Sequence, residues 1–221
     1  MDQGFRMRPA YLALIIPLVQ SAGCASNSEM KRPFMFKEAK LPVGFPAPGP
    51  VGQIIVKEYP AYRMARIKRG EGGVQGGPNA MFRPLFNHIK RNDIPMTAPV
   101  EMGYPERVAP GEVATSMAFL YGEPSWGASG ADASDQRVVV EDVPAMTVVS
   151  IGVRGGYTAA NFEKAISKLN AWVQQHAEEV HVSGPPRYLA YNSPFVLGFL
   201  KYGEVQLPVE TVRDADEQDA P

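Results

Sequence analysis

The sequence predicts an α+β fold made of two copies of a strand–helix–strand–strand unit. Three observations predict it. First, a shift of 84 residues lays Val56 on Val140, Glu58 on Asp142, Pro60 on Pro144, Ala61 on Ala145, Ile67 on Ile151 and Gly72 on Gly156. No single match is convincing, but both halves then run in the same order of elements. Second, Phe162, Ile166, Leu169 and Val173 recur at helical spacing, with Ala165 and Trp172 alongside. Third, Val113, Thr115, Met117, Phe119 and Tyr121 alternate with Ala114, Ser116, Ala118 and Leu120, the period of a strand.

The N-terminus is an address. Arg6 and Arg8 precede an apolar run from Ala10 to Val19, and small residues Ser21, Ala22 and Gly23 follow. The run is far shorter than the roughly 20 residues of a membrane span. Positive start, short apolar core and small residues together describe a secretory signal over residues 1–23. The chain's one cysteine, Cys24, comes next. This resembles a bacterial lipobox, in which the cysteine is lipid-modified and becomes the new N-terminus. Ser21 departs from the usual Leu. Ala25 after the cysteine is compatible with the outer membrane. A single cysteine also excludes an intramolecular disulfide, an iron–sulfur cluster, a zinc–thiolate site and covalent c-type haem.

Residues 24–50 contain Pro33, Pro42, Pro46, Pro48 and Pro50. Such spacing predicts an extended, stiff tether holding a domain off the membrane. Packing on the domain is the alternative for Phe34, Phe36 and Phe45. The folded domain is expected over residues 51–212, and the acidic stretch from Asp214 to Asp219 reads as a solvated tail over 213–221.

Within the domain, strands are expected at 53–59, 62–68, 113–121, 137–141, 147–153, 187–192 and 195–209. The first helix is expected near 81–91, where Met81, Phe82, Leu85, Phe86 and Ile89 share a face. Pro84 is tolerated only in a first turn, so the helix begins near it or kinks there. The second helix runs for about 17 residues from the N-cap Thr158, with Tyr157 and Phe162 placed as a hydrophobic staple. Loops are expected at 103–112 and 122–136, rich in Gly, Pro, Ala and Ser.

Charge excludes one class of partner. Lys+Arg is 22 and Asp+Glu 23, a net charge of −1. Without Arg6, Arg8 and Asp2 the mature chain stands at −2. It lacks the basic footprint of a nucleic-acid binder. The glycines at 70, 72, 73, 76 and 77 fit neither a dinucleotide fingerprint nor a P-loop. There is no Gly-x-Ser-x-Gly elbow, and no catalytic constellation is visible, so a non-enzymatic role is expected. Of the histidines, His176 falls at a helix end, where the dipole favours it. His181 follows in a loop. His88 lies at the edge of the first helix's apolar stripe, as a boundary residue with one wet nitrogen or as a metal or haem-iron ligand.

The run from Leu85 to Val100 contains Asn87-His88-Ile89-Lys90-Arg91-Asn92-Asp93-Ile94-Pro95-Met96-Thr97-Ala98-Pro99-Val100. It resembles the SOUL haem-binding family, whose hallmark is a helix followed by Met-Thr-Ala-Pro-Val or a close variant. Val56–Tyr62, Val140–Val148, Gly155-Gly156-Tyr157 and Ala190–Phe195 resemble the same family, in the right order across residues 53–209. The resemblance implies a twisted, antiparallel, β-barrel-like sheet with two helices, built from a duplicated βαββ unit and shared with GyrI-like effector-binding domains. It implies non-covalent binding of haem or a related tetrapyrrole by a carrier or buffer. On that reading Met81, Phe82, Leu85 and Phe86 supply a groove wall, with plain core packing accounting for at least half of them. His88 supplies an axial nitrogen and Arg91 meets a propionate. Some members carry a histidine, proposed as axial ligand, where this chain has Glu58. A carboxylate substitutes poorly, so ligation here is expected to be different or absent. The expected partners are a small-molecule ligand and a membrane reached through lipidated Cys24, facing the periplasm. Alternatives for the same cleft are a GyrI-like module for another apolar molecule and an envelope hydrolase.

Overall fold

The computed structural model describes residues 32–212 except residue 71. The signal sequence, Cys24 and the acidic tail lie outside the described residues. Ten strands form one antiparallel sheet with a helix for each half. The first half contains β1 (Ile54–Tyr59), β2 (Tyr62–Lys68), α1 (Pro78–Arg91), β3 (Val100–Gly103) and β4 (Ser116–Leu120). The short β5 (Gly130–Asp132) follows. The second half contains β6 (Asp135–Val143), β7 (Met146–Arg154), α2 (Ala159–Gln175), β8 (Val180–Val182), β9 (Arg187–Ala190) and β10 (Tyr202–Thr211).

The strand order, β1-β7-β10-β9-β3-β4-β2-β6-β5 with β8 paired to β10 off this path, explains the internal repeat. The βαββ units β2-α1-β3-β4 and β7-α2-β9-β10 meet at the β9–β3 pair, and their leading strands are exchanged. β1 pairs with β7, and β6 with β2. Val56 and Val140 occupy these exchanged strands, and Ile67 and Ile151 their partners. The shift read from the sequence is therefore the two-fold relation of the fold.

Two tight turns curl the sheet. Only Pro60 and Ala61 separate β1 from β2, although the two strands lie far apart in the order. Pro144 and Ala145 likewise join β6 to β7. Chain reach is at most about 3.6 Å per residue, so such turns force the ends of the halves together. The sheet is an open, curled one with a helix-bearing face and a helix-free face.

The helix-bearing face holds the larger core. From α1 it receives Met81, Leu85 and Ile89, and from α2 Phe162, Ala165, Ile166, Leu169 and Val173. α2 begins as expected: the Thr158 hydroxyl accepts from the Asn161 N–H at 3.2 Å. Tyr157 and Phe162 both pack on Tyr188. α1 starts earlier than expected, at Pro78, and continues through Pro84. Its apolar face packs firmly enough on the sheet to outweigh the proline's missing hydrogen bond.

The segment 195–209 is a strand only from Tyr202. Before it, Asn192 turns the chain, and residues Gly198–Leu200 form a 3-10 turn. Short β5 and β8 carry no sequence signal, because three-residue strands leave almost no periodicity to read.

The second correction is larger. Residues 32–50 do not hold the domain at a distance: they cross its helix-free face. The Val43 N–H donates to Gly122 O, and the Ala98 N–H to Lys40 O. Phe45 sits edge-on against Tyr59 and Tyr62, at 4.9 and 5.2 Å between ring centroids. Gly152 admits the arm: a Cβ there would lie 2.4 Å from Pro50 O. The turns after the helices, Thr97-Ala98-Pro99 and Asn192-Ser193-Pro194, hold it too. The Asn192 amide donates to Phe36 O at 2.9 Å, and Ser193 binds the Glu38 carboxylate through its N–H and hydroxyl. The proline spacing specifies an extended chain, and an extended chain can also lie in a groove.

Candidate functional site

Each residue expected around α1 has a definite place. Met81 and Leu85 are buried in the core. Phe82 packs edge-on against Phe119 and is stacked on Phe86, which is partly exposed. His88 is buried with both ring nitrogens engaged: Nε2 lies 2.7 Å from the Tyr121 hydroxyl, and Nδ1 contacts Asp132 Oδ2. Arg91 Nη2 donates to the other Asp132 oxygen at 3.1 Å. The geometry thus gives His88 and Arg91 a different role from the expected axial ligand and propionate partner. They tie α1 to the β5–β6 turn, and no nitrogen of His88 points free. His176 is a helix cap, its Nδ1 2.8 Å from Trp172 O, and His181 faces Glu210 at 3.7 Å.

Asp132 gives this cluster an acid limit. Burial raises its pKa, but bonds from His88 and from the Ser134 and Asp135 N–H groups outweigh burial and bring it from 3.8 to about 2. A depressed folded pKa contributes stability above the unfolded value, and that stability is lost as pH falls from about 4 through about 2. Asp132→Asn is expected to flatten the fall of the urea midpoint between pH 4 and pH 2. An unchanged fall would assign it to other carboxylates.

The helix-free face carries a different kind of site. Strands from both halves aim polar side chains into it, and most are buried. Lys57 Nζ donates to Glu204 Oε1 at 2.6 Å and to Ala47 O at 2.9 Å. Glu204 is fully buried and also accepts from the Gly49 N–H and from Gln206 Nε2. Gln206 Oε1 accepts from Arg187 Nε at 2.9 Å. Arg187 Nη1 donates to the Tyr62 hydroxyl at 2.6 Å and to Glu101 Oε2 at 3.0 Å. Arg66 reaches Glu101 Oε1 at 3.3 Å and Glu141 at 3.0 Å. A chain of alternating charges thus crosses the junction of the two halves. The chain is incompletely matched: Arg187 Nη2, Arg66 Nε and Glu141 Oε1 are buried without a hydrogen bond, and the Arg187 guanidinium lies 5.0 Å from the centre of the Tyr59 ring.

Beside this chain opens a cleft of about 1010 Å³. Tyr59, Tyr62, Arg66, Glu101 and Arg187 line it, and the two turns that curl the sheet form walls with Pro60, Val143, Ala145 and Met146. Glu58, the position where some SOUL members have histidine, is also a lining residue. Binding sites of this size commonly pair apolar walls with a few polar groups. A second cleft, about 880 Å³, lies between α2 and the loop around Val108. Sequence reasoning missed the first cleft because its charged residues sit in strands far apart along the chain. Their signal was present: Lys57, Glu101, Arg187 and Glu204 interrupt strands otherwise rich in apolar residues.

The lining of the larger cleft contains no histidine or cysteine. Burial holds the Tyr59 and Tyr62 hydroxyls above their ordinary pKa and raises Tyr104 to about 12, so these groups stay protonated near neutrality. Among the described residues there is no cluster of three or more His, Cys, Asp or Glu suited to a metal ion. The lining sets Arg66 and Arg187 against Glu58, Glu101 and Glu210. It does not fit an imidazole-ligated iron.

Known structures share this fold. EcmrR, in an EcmrR–DNA complex, is 16% identical over 72% of this chain, with a TM-score of 0.55. The present chain spans 58% of that chain's length. The isolated EcmrR C-terminal domain matches over 98% of its length at a TM-score of 0.52. A hydrolase from Listeria innocua is 11% identical, matching 73% of this chain and 94% of its own, at a TM-score of 0.51. These likenesses are of fold alone. No curated protein sequence matches the chain. The model of the SOUL heme-binding protein family, however, matches residues 52–208, from the first strand of the sheet to the last. The chain belongs to the SOUL heme-binding protein family.

Proposed function

We propose that the protein binds haem or a related tetrapyrrole non-covalently in the cleft between its halves, as a lipid-anchored carrier or buffer facing the periplasm. The observation that carries this reading is the cleft's composition. Its walls include apolar turns, and Arg66, only partly buried and paired with Glu101 and Glu141, is a cation for which a ring carboxylate would compete. Arg187 adds a second positive charge below. A bound macrocycle supplies its own absorption and, with iron, its own redox chemistry. The protein's part is to bury the ring, pair its carboxylates and hold the cleft's tyrosines protonated. Cys24 provides the anchor, and no role in covalent catalysis is assigned to any residue.

Affinity is expected to come from the ring and not the metal. Haemin and metal-free protoporphyrin should bind within about threefold of one another in titrations followed by absorption and fluorescence. Arg66→Ala should weaken both about fivefold, the scale of one partly exposed ion pair. His88→Ala should leave the haemin spectrum unchanged. Haemin binding more than about 30-fold tighter than protoporphyrin, or loss of its Soret shift in His88→Ala, would return the site to α1. Absence of saturable binding by either would favour a different apolar ligand.

A further inference from the structure

A solvent-facing group of large apolar side chains stands at one end of the domain. Phe195 is 95% exposed, Phe199 69% and Leu197 61%, all on the loop between β9 and β10. Phe34 is 67% exposed and stacks edge-on with Phe36 at 5.5 Å. Soluble proteins scatter exposed apolar residues singly, whereas a cluster marks an interaction surface.

The structure ties these two segments together. Arg154 Nη1 donates to Leu200 O at 2.9 Å, and Nη2 to Phe34 O at 2.5 Å. Asn192 binds Phe36 O, and Glu38 binds Ser193. The start of the arm and the aromatic loop are therefore one surface. Arg32, Lys37 and Lys201 belong to the same two segments, and Arg154, at the end of β7, bridges them. The acidic residue among them, Glu38, spends its oxygens on Ser193 and Asn192.

We infer that this surface docks on a phospholipid bilayer, with Phe195, Leu197 and Phe199 entering the headgroup–acyl boundary. Two facts select lipid as the occupant. Seven residues separate Cys24 from Arg32, a span of at most about 28 Å, so an anchor at Cys24 keeps this end of the domain at the membrane. Apolar side chains flanked by cations are also the composition of interfacial binding segments, and the cations favour anionic headgroups. Membrane docking orients the domain and fixes the arm's first residues, and with them the arm that crosses the cleft-bearing face. The proposal rests on the lipoprotein reading for its geometry, but its contacts are independent of the lipid.

The two are separable by experiment. The chain from residue 24 onward, with Cys24→Ser and so no lipid, holds every described residue. It is expected to co-sediment with vesicles of phosphatidylethanolamine and phosphatidylglycerol. Replacing Phe195, Leu197 and Phe199 together with Ser should reduce partitioning at least tenfold while leaving the circular dichroism and urea midpoint unchanged. Phe195→Trp should show a blue-shifted emission quenched by brominated acyl chains. No vesicle binding, binding unaffected by the triple substitution, or concentration-dependent dimerisation through this loop would overturn the proposal. The lipoprotein reading is scored separately, by the mass of the mature N-terminal peptide. An unmodified Cys24 with vesicle binding intact would defeat that reading and leave the docking surface standing.

Discussion

Lys57→Met is expected to destabilise the domain by about 3–5 kcal/mol, read as a lowered urea midpoint at pH 7. Lys57 and Glu204 are both nearly sealed from water and lie 2.6 Å apart. Removing the cation leaves a carboxylate that can neither reach solvent nor find another positive charge close by. The remaining donors around Glu204 are the Gly49 N–H, the Gln206 amide and the hydroxyls of Tyr191 and Tyr202. They share the charge without neutralising it. The double variant Lys57→Met, Glu204→Gln should recover more than half of the loss, because the stranded charge is gone and Gln can still accept hydrogen bonds. A single-variant loss below about 1 kcal/mol would show that the pair is solvated in solution. No recovery in the double variant would mean that Lys57 acts chiefly through Ala47 O and the arm.

Much of the fold was legible because its signals are periodic or repeated. α2 follows from four apolar residues at helical spacing and a threonine cap, and its observed length of 17 residues matches. The two-fold relation followed from a shift of sequence, although the exchange of β1 and β6 between the halves did not. Exchange moves a strand without altering its pattern, so periodicity cannot report it. The arm was half legible. Its prolines specify extended chain, but what an extended chain lies against depends on distant residues such as Gly122, Gly152 and Asn192.

The α1 face shows a different limit. A helical stripe of Met81, Phe82, Leu85 and Phe86 reads alike whether it lines a groove or fills a core, and the structure buries two of the four. His88 is not a boundary residue with one wet nitrogen: it is buried, with both nitrogens engaged. Its partners, Tyr121 and Asp132, lie 33 and 44 residues away, and nothing local announces them. The larger cleft is assembled by curvature from turns and strand ends of both halves. Its legible trace was charge inside strands: a lysine, two glutamates and an arginine where apolar residues would be cheapest. Buried charge of this kind is weak evidence for stability. Here it sits across the seam between the halves and beside a cleft, where it orients a guanidinium.

The arm bears on how any ligand test should be built. A domain beginning at residue 51 would lack the Gly49 N–H and Ala47 carbonyl that serve the buried Glu204–Lys57 pair, and Phe45 that fills the space between Tyr59 and Tyr62. Hydrogen bonds to charged groups contribute about 1.5–3 kcal/mol each, and burial of a phenylalanine a similar amount. The chain from residue 51 is therefore expected to unfold at least about 3 kcal/mol more easily than one from residue 32. It should also bind haemin with more than one site, because Tyr59, Tyr62 and Met146 lose an apolar cover and gain a second surface for a flat ring. Urea unfolding of the two chains, and the stoichiometry of each haemin titration, decide the matter. Equal stability would mean that the arm lies loosely on the sheet in solution. Equal, single-site titrations would mean that the cleft is formed wholly by the strands and turns, and that residues 32–50 serve the domain's orientation alone.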